Sequence, residues 1–158
     1  MTDPSGLSKA VWTDADFPQM GWHDSRIHAL GFLEDDDLPP GRLLLDLDYI
    51  VRWVEPARRP KYFTFWIAPA TLVFDEAWDI TGDIGPLHGG LELGDLHRLD
   101  PPDDKPYPLW HLEGHEFELK FRARGYRQYF RRSPQHVSRQ ELTMAERGGL
   151  SFAEQAFA

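Results

Sequence analysis

Apolar and polar residues alternate most regularly in the stretch Leu43–Trp53. Every second residue is apolar on one face: Leu43, Leu45, Leu47, Tyr49, Val51 and Trp53. The other face is mainly polar but includes two apolar residues, in chain order Leu44, Asp46, Asp48, Ile50 and Arg52. Successive side chains of a β-strand point to opposite faces, so a period of two indicates a strand. We therefore expect this strand to have one core face and one polar face.

The segment Tyr62–Phe74 is apolar with little alternation, which is typical of a strand buried on both faces. Pro69 interrupts it and has no amide hydrogen to donate to a sheet. The sequence therefore predicts either two strands or one bent strand here. Shorter strands are predicted over three further segments: Ser25–Phe32, Glu76–Ile84 and Leu91–His97.

A hairpin is predicted around Gly114, with strands over Leu109–Glu113 and His115–Ala123. In its second strand four apolar residues share one face: Phe117, Leu119, Phe121 and Ala123. The alternation changes phase after Gly125, which indicates a bulge.

One helix is predicted near residues 138–147, because Ser138 and Glu141 have the spacing of a capping box and Gly148 follows as a stop. Residues 1–16 lack an apolar core and are interpreted as a flexible N-terminal arm. The rest, 17–158, is expected to form a single domain. Its fold class is predicted as α+β but mainly β, with antiparallel sheets in a sandwich or barrel and a C-terminal helix.

Composition narrows the possible partners. The 158 residues carry a net charge of -9, which argues against nucleic acid, since phosphate binding needs a basic face. No apolar run is long enough to span a membrane, and the acidic N-terminal stretch does not have the pattern of a signal peptide. The absence of cysteine removes disulfide and thiolate chemistry and is consistent with a reducing cytoplasm.

Charge is unevenly distributed along the chain. Residues 1–112 hold nine basic and 20 acidic residues, whereas residues 113–158 hold eight basic and six acidic residues. Lys120, Arg122 and Arg124 fall on one face of a predicted strand. They can pair across strands with Asp46 and Asp48. Alternatively they form a strip for an anionic ligand, flanked by Tyr126 and Tyr129.

Seven histidines raise the question of a metal site. His111 and His115 are four residues apart, but Gly114 and the strand pattern exclude the helical zinc motifs. The aspartate run Asp35–Asp37 lacks the glycine and glutamate of a calcium loop. No metal or other cofactor is expected, and no residue is assigned a catalytic role. Motifs for nucleotide binding and acyl transfer are also missing.

Two hypotheses for function remain open. The first is a cytoplasmic, non-enzymatic protein-binding protein, because the chain is acidic and rich in aromatic residues. The second is a small enzyme or small-ligand-binding protein with a pocket in the sheet. The candidate ligand-binding residues for that pocket are His23, Asp24, Asp46, Asp48, Arg52, Arg122, Arg124 and Tyr126. The oligomeric state is left open.

Four blocks carry a resemblance to a known family: WHDSRIHALGF from Trp22, LLDLDYIVRWV from Leu44, FWIAPATLVFDEAWDI from Phe65 and ELKFRARGYRQYFRRSP from Glu118. Together they span roughly residues 20–134. They resemble a family of small bacterial proteins of uncharacterised function, so the resemblance implies no activity and assigns no residue a role. A weaker likeness is to the acidic, β-rich immunity proteins that neutralise bacterial toxins.

Overall fold

A computed structural model describes residues 3–34, 41–58 and 62–158. The aspartate run Asp35–Asp37 lies outside these residues. Ten strands are found in the described part of the chain: β1 (Val11–Thr13), β2 (Arg26–Leu33), β3 (Arg42–Val54), β4 (Thr64–Asp75), β5 (Trp78–Ile84), β6 (Leu91–Leu99), β7 (Leu109–Gly114), β8 (Phe117–Arg122), β9 (Gly125–Phe130) and β10 (Gln135–Val137). A 3-10 helix covers Asp14–Gln19, and the short helix α1 covers Met144–Arg147.

The strands are antiparallel and follow the order β1-β9-β4-β3-β2-β6-β7-β8-β5, with β10 also paired to β4. Strands account for 50% of the structure and helices for 7%, which confirms a mainly antiparallel β fold with a short C-terminal helix. The sheet is open and sandwich-like. We call β1-β9-β4-β3-β2 the first sheet and β6-β7-β8-β5 the second. A short pairing of Arg26 and Ile27 with β6 joins them.

The main core lies between the two sheets. The alternating apolar residues of β3 are buried there as predicted, namely Leu43, Leu45, Leu47 and Tyr49. From the second sheet, β8 contributes Phe117, Leu119 and Phe121. Aromatic rings connect the two sheets directly, and the Phe74 and Phe121 ring centroids are 4.7 Å apart. Large aromatic side chains bury about 150–250 Å² each, so they fill this interior.

The opposite face of β3, which we expected to be a polar face, is also buried. Leu44, Asp46, Asp48 and Ile50 lie on this face, and all four are buried. A second, smaller apolar cluster forms on this side from Ile50, Phe65, Ile67 and Leu142, with Val137 packed against it. The residues that follow β10 therefore cover the outer face of the first sheet.

β4 is a single strand that is buried on both faces, and Pro69 lies in its middle. On one side β4 pairs with β3 along its length. On the other side it pairs with β10 at residues 65–67 and with β9 at residues 70–75. Pro69 lies where the neighbouring strand changes from β10 to β9, so its missing amide hydrogen interrupts neither ladder. Its carbonyl oxygen still accepts a hydrogen bond from Arg131 N at 3.0 Å.

The predicted hairpin is present as β7 and β8, and it belongs to the second sheet. After β8 the chain crosses to the first sheet and begins β9 at Gly125. The change of phase at Gly125 therefore marks this crossing between sheets and not a bulge within one strand. A β-carbon at Gly125 would meet the Asp14 carboxylate, so a larger residue there would have to displace that side chain.

The prediction of a loose arm over residues 1–16 differs from the structure. β1 pairs with Arg127–Tyr129 of β9, and Phe130 N donates a hydrogen bond to Ala10 O at 2.9 Å. Leu7 and Trp12 pack against the main core. The segment is ordered because it supplies partners for the backbone groups of β9 and buries two apolar side chains.

The C-terminal helix begins later than predicted. Its N-cap is Thr143, whose Oγ1 accepts a hydrogen bond from Glu146 N, while Glu146 Oε1 accepts one from Thr143 N. Ser138 and Glu141 have the same spacing but lie in a bent, non-helical segment. The helix ends at Gly148, which has a left-handed φ of 78°. No helix in the described residues is long and apolar enough to cross a membrane.

We expect the helix cap to give the protein a defined acid sensitivity. Hydrogen bonds from Arg139 and from Thr143 N lower the pKa of Glu146 from 4.5 to about 2. Because the folded-state pKa is depressed, the carboxylate stabilises the fold above pH 4.5, and this contribution is lost as the pH falls from 4.5 toward 2. Denaturant unfolding of wild type and Glu146→Gln between pH 7 and pH 2 measures the stabilisation that the Glu146 carboxylate provides. The difference in unfolding free energy should shrink through that window, and a pH-independent difference would contradict the prediction.

Candidate functional site

Two of the predicted site residues, Asp46 and Asp48, form a buried cluster with Arg131 and Arg147. Both aspartates point from β3 toward the outer face of the first sheet, because the core face takes the alternate positions. Arg147 belongs to α1 and its side chain is fully buried, as are those of both aspartates. We call these four residues the buried acid–arginine cluster.

Every oxygen of Asp46 in this cluster has donors. Its Oδ1 accepts from Arg131 Nη2 at 2.6 Å and from Arg147 Nη2 at 2.7 Å. Its Oδ2 accepts from Arg147 Nη1 and from Ser151 N, both at 2.9 Å. Burial by itself raises the pKa of Asp46, but the hydrogen bonds from Arg147, Ser151 N and Arg131 outweigh it and hold the pKa below 3.8. The carboxylate is therefore ionised and saturated with donors.

Asp48 is bound in the same manner. Its Oδ1 accepts from Arg147 Nε at 3.1 Å, and its Oδ2 accepts from Leu142 N at 2.9 Å. His28 Nε2 lies 2.7 Å from the same Oδ2. These bonds join β2, β3 and the C-terminal segment into one network. The carboxylate oxygens of both aspartates are therefore already occupied by donors. Because several of these donors belong to residues 142–151, the cluster holds the C-terminal segment onto the sheet.

The expected pairing of Asp46 and Asp48 with Lys120, Arg122 and Arg124 is therefore wrong. Those basic residues belong to β8 or follow it, in and beside the second sheet, whereas the aspartates face outward from the first sheet. The arginines that pair with the aspartates are Arg131 and Arg147, not the basic residues in and after β8.

Lys120, Arg122 and Arg124 also do not form a strip that could bind an anionic ligand. Lys120 Nζ lies 3.4 Å from Glu118 Oε1. Arg122 turns inward, where its Nη2 donates to Asp103 Oδ2 at 2.6 Å and its Nη1 donates to Tyr107 O at 3.0 Å. The hydrogen bond from Arg122 lowers the pKa of Asp103. Arg52 lies elsewhere, at the end of β3, and donates to Pro4 O at 3.0 Å.

Arg124 and Tyr126 do line one cavity, of about 430 Å³, beside the start of β9. Its charged groups are already matched: Arg127 makes two bonds to Asp75, at 2.8 and 3.0 Å, and Arg124 lies 3.5 Å from Glu76. Tyr126 is buried, and burial raises the pKa of its hydroxyl. Both of these arginines in the cavity wall are thus already close to a carboxylate.

His23 and Asp24 lie at the surface just before β2, where His23 stacks on Trp53 with ring centroids 5.9 Å apart. Trp53 also contacts Phe65 edge to face at 5.0 Å and Phe63 at 5.9 Å. The eight predicted residues therefore do not converge on one pocket. They lie in five places: the buried cluster, Arg122 in the second sheet, the cavity beside the start of β9, the Arg52 contact and the surface around His23 and Asp24.

The aromatic region lines a shallow cavity of about 610 Å³ where β3 ends and β4 begins. Its lining residues are Trp53, Tyr62, Phe63, Phe65, Ser138, Arg139 and Gln140, which we call the aromatic surface. Tyr62 is 75% exposed, Phe63 is 44% exposed and Trp53 is 37% exposed. Three large aromatic side chains are thus presented to solvent around one cavity. Trp53 lies in β3, whose backbone is fixed by the sheet, and Tyr62 and Phe63 lie in the segment just before β4.

Sequence reasoning missed the aromatic surface because it placed Trp53 on the core face of β3. A register shift between Ile50 and Arg52 breaks the alternation before Trp53 is reached. Reasoning also missed Arg147, since one arginine in a short helix has no local signature. One feature of the sequence did indicate that the polar face of β3 is covered by another segment. This face also carries the apolar side chains of Leu44 and Ile50.

In comparisons with known proteins, no protein-family model matches the chain, and no curated protein or solved structure is significantly similar to it.

Proposed function

We propose that this chain is a cytoplasmic, non-enzymatic protein-binding protein and that the aromatic surface contacts a basic partner protein. The observation that carries the proposal is the cluster of exposed rings at Trp53, Tyr62 and Phe63. Aromatic residues are enriched at protein interfaces, and tryptophan and tyrosine are prominent among the residues that dominate binding energy.

The geometry of the rings suits an interface. Trp53 packs against His23, Phe63 and Phe65, so its orientation is set before a partner arrives. A preorganised side chain loses less conformational entropy on binding than a free one. Rigid aromatic anchors of this kind supply large contact area at low entropic cost.

Charge supports a basic partner. The chain as a whole carries -9. An adjoining cavity is lined by the three carboxylates of Asp24, Glu92 and Glu141 and by two arginines, Arg26 and Arg139. Arg139 and Gln140 line both cavities, so the acidic groups border the aromatic surface. Complementary charge accelerates encounter and selects against acidic proteins. The resemblance to acidic toxin-immunity proteins, which act on other proteins, is consistent with this proposal.

The alternative, an enzyme or small-ligand-binding protein with a pocket in the sheet, has less support. Its proposed residues lie apart, and the two aspartates at its centre are saturated by Arg131 and Arg147. A functional carboxylate needs an accessible position near its substrate.

Trp53→Ala is expected to weaken partner binding by about 30-fold or more, as loss of a dominant interface residue of about 2 kcal/mol implies. The partner is first identified by cross-linking and mass spectrometry in a host lysate, then purified for titration calorimetry. Phe32→Ala is the matched control, since Phe32 is 58% exposed and lies in β2 beside Leu43. Leu43 is ten residues before Trp53 in β3, which is about 33 Å along an extended strand.

The proposal gains support if the purified partner is basic and loses affinity for Trp53→Ala but not for Phe32→Ala. Its association rate should also fall as salt is raised, because salt screens charge attraction. Equal binding by wild type and Trp53→Ala would overturn it, as would turnover of a small substrate by the purified protein.

A further inference from the structure

Three potential metal ligands from distant parts of the sequence meet beside the aromatic surface. Asp24 precedes β2, Glu92 is in β6, and His115 is in the turn between β7 and β8. One ligand atom from each lies within 4.8 Å of the other two. We propose that Asp24, Glu92 and His115 form a site for a divalent transition-metal ion, of which Zn²⁺ is the preferred species. This inference does not depend on the proposed protein partner.

The distances fit shared coordination better than direct hydrogen bonding. His115 Nε2 is 3.5 Å from Asp24 Oδ1 and 3.9 Å from Glu92 Oε1. Zinc–ligand bonds of about 2.0–2.2 Å in a tetrahedron place neighbouring ligand atoms about 3.3–3.6 Å apart. The distance from His115 Nε2 to Asp24 Oδ1 lies within this range, and the distance to Glu92 Oε1 slightly exceeds it. By contrast, His88 Nδ1 and Glu116 Oε1 are separated by 2.7 Å, which is a direct hydrogen bond. His115 and Asp24 are therefore spaced as ligands around a common ion are, and Glu92 is close to that spacing.

The backbone holds the three ligand-bearing segments together. Asp24 N donates to Leu93 O at 2.9 Å, and Leu93 N donates to Ser25 O at 2.9 Å. His115 N donates to Glu92 O at 3.0 Å. These bonds attach the residues on either side of the site to β6, so binding an ion requires little ordering of the chain. A fixed set of ligands lowers the entropic cost of binding.

The second oxygen of Asp24 is positioned by neighbouring side chains. Gln140 Nε2 donates to Asp24 Oδ2 at 3.0 Å, and His23 Nε2 lies 3.5 Å from the same oxygen. Oδ1 is thereby left on the side of His115. Hydrogen bonds of this type orient ligands and commonly change metal affinity by about 10–100-fold. Asp24 also has a φ of 62°, a conformation that aspartate and asparagine tolerate better than most residues.

The ligand set selects the ion by its chemistry. One imidazole and two carboxylates suit Zn²⁺, whereas Mg²⁺ and Ca²⁺ take mainly oxygen ligands. Two carboxylates also balance the charge of a divalent ion. Arg26 lines the same cavity, but its guanidinium is engaged by the Gly89 carbonyl oxygen and lies 3.3 Å from Glu141 Oε2. The partial exposure of Glu92 and His115 leaves room for water as a fourth ligand.

Titration calorimetry with ZnCl₂ tests the site on the full chain. Wild type should bind one Zn²⁺, and both Asp24→Asn and His115→Ala should weaken that binding about tenfold or more. Asparagine keeps the size and backbone tolerance of Asp24. His97→Ala is the matched control, since His97 is a half-exposed histidine that is hydrogen-bonded to Glu113, and it should bind Zn²⁺ like wild type.

Two further measurements complete the test. Anomalous diffraction from zinc-soaked crystals should place the ion between Asp24, Glu92 and His115. Zn²⁺ should also raise the melting temperature of wild type and His97→Ala but not of the two ligand variants. Equal zinc binding by wild type and His115→Ala, an ion located at other histidines, or equal affinity for Mg²⁺ would overturn the proposal.

Discussion

Arg147→Ala is expected to lower the free energy of unfolding by about 3–5 kcal/mol, the cost of removing one partner from a buried ion pair. Arg147 donates to Asp46 at 2.7 and 2.9 Å and to Asp48 at 3.1 Å, and all three side chains are fully buried. Without the guanidinium the two carboxylates stay buried with too little positive charge. Because the free energy of unfolding of a domain is only about 5–15 kcal/mol, this substitution removes a large share of the total stability.

Denaturant unfolding measures the loss of stability, and Arg139→Ala is the control from the same segment. Arg139 pairs with Glu146 at the surface, where solvent screens the charges, so its removal should lower the free energy of unfolding much less than Arg147→Ala does. Hydrogen exchange adds a local measurement, since the amides of Leu142 and Ser151 donate to the two aspartates. Both amides should lose protection in Arg147→Ala. A stability loss no larger than that of Arg139→Ala would show that the cluster does not hold the C-terminal segment.

Leu45→Ala should destabilise the protein by about 2–5 kcal/mol, through lost apolar burial and the cavity left behind. Leu45 has no exposed surface and lies in the centre of β3, which is flanked by β2 and β4. Close packing on both sides limits how far neighbours can move into the space. Thermal and denaturant unfolding give the size of the effect.

Leu99→Ala provides the matched comparison, because it makes the same chemical change in a strand residue that is 42% exposed. Surface substitutions of this kind usually alter stability by less than about 0.5 kcal/mol. If Leu45→Ala unfolded like Leu99→Ala, the assignment of the Leu43–Tyr49 face to the core would be wrong. Leu47, which is equally buried, should behave as Leu45 does.

Local patterns were enough to identify strands β2 to β8 and the main core, but not β1, β9 or β10 as separate strands. The alternation in β3 determined which side chains face the second sheet, because a strand has only two faces and apolar surface gains by leaving water. The continuous apolar sequence of β4 likewise determined burial on both faces. Capping chemistry indicated a C-terminal helix but placed its start at Ser138, whereas the structure uses a second pair with the same spacing, Thr143 and Glu146.

Tertiary structure decided which residues meet, since that depends on how distant segments are brought together. Asp46 and Arg147 are 101 positions apart, and no local pattern distinguishes Arg147 from the other arginines. The aspartates of β3 were predicted to pair with the basic residues of β8 or to line a pocket, because a strand pattern does not show what covers its second face. The sequence suggested His23 and Asp24 as site residues because they are neighbours in the chain. Glu92 and His115 come close to Asp24 because backbone hydrogen bonds join β6 to Asp24 and to the β7–β8 turn. Strand periodicity is a property of a few consecutive residues, whereas a site is a property of the folded chain, and the contacts that build it are set by sheet order and register.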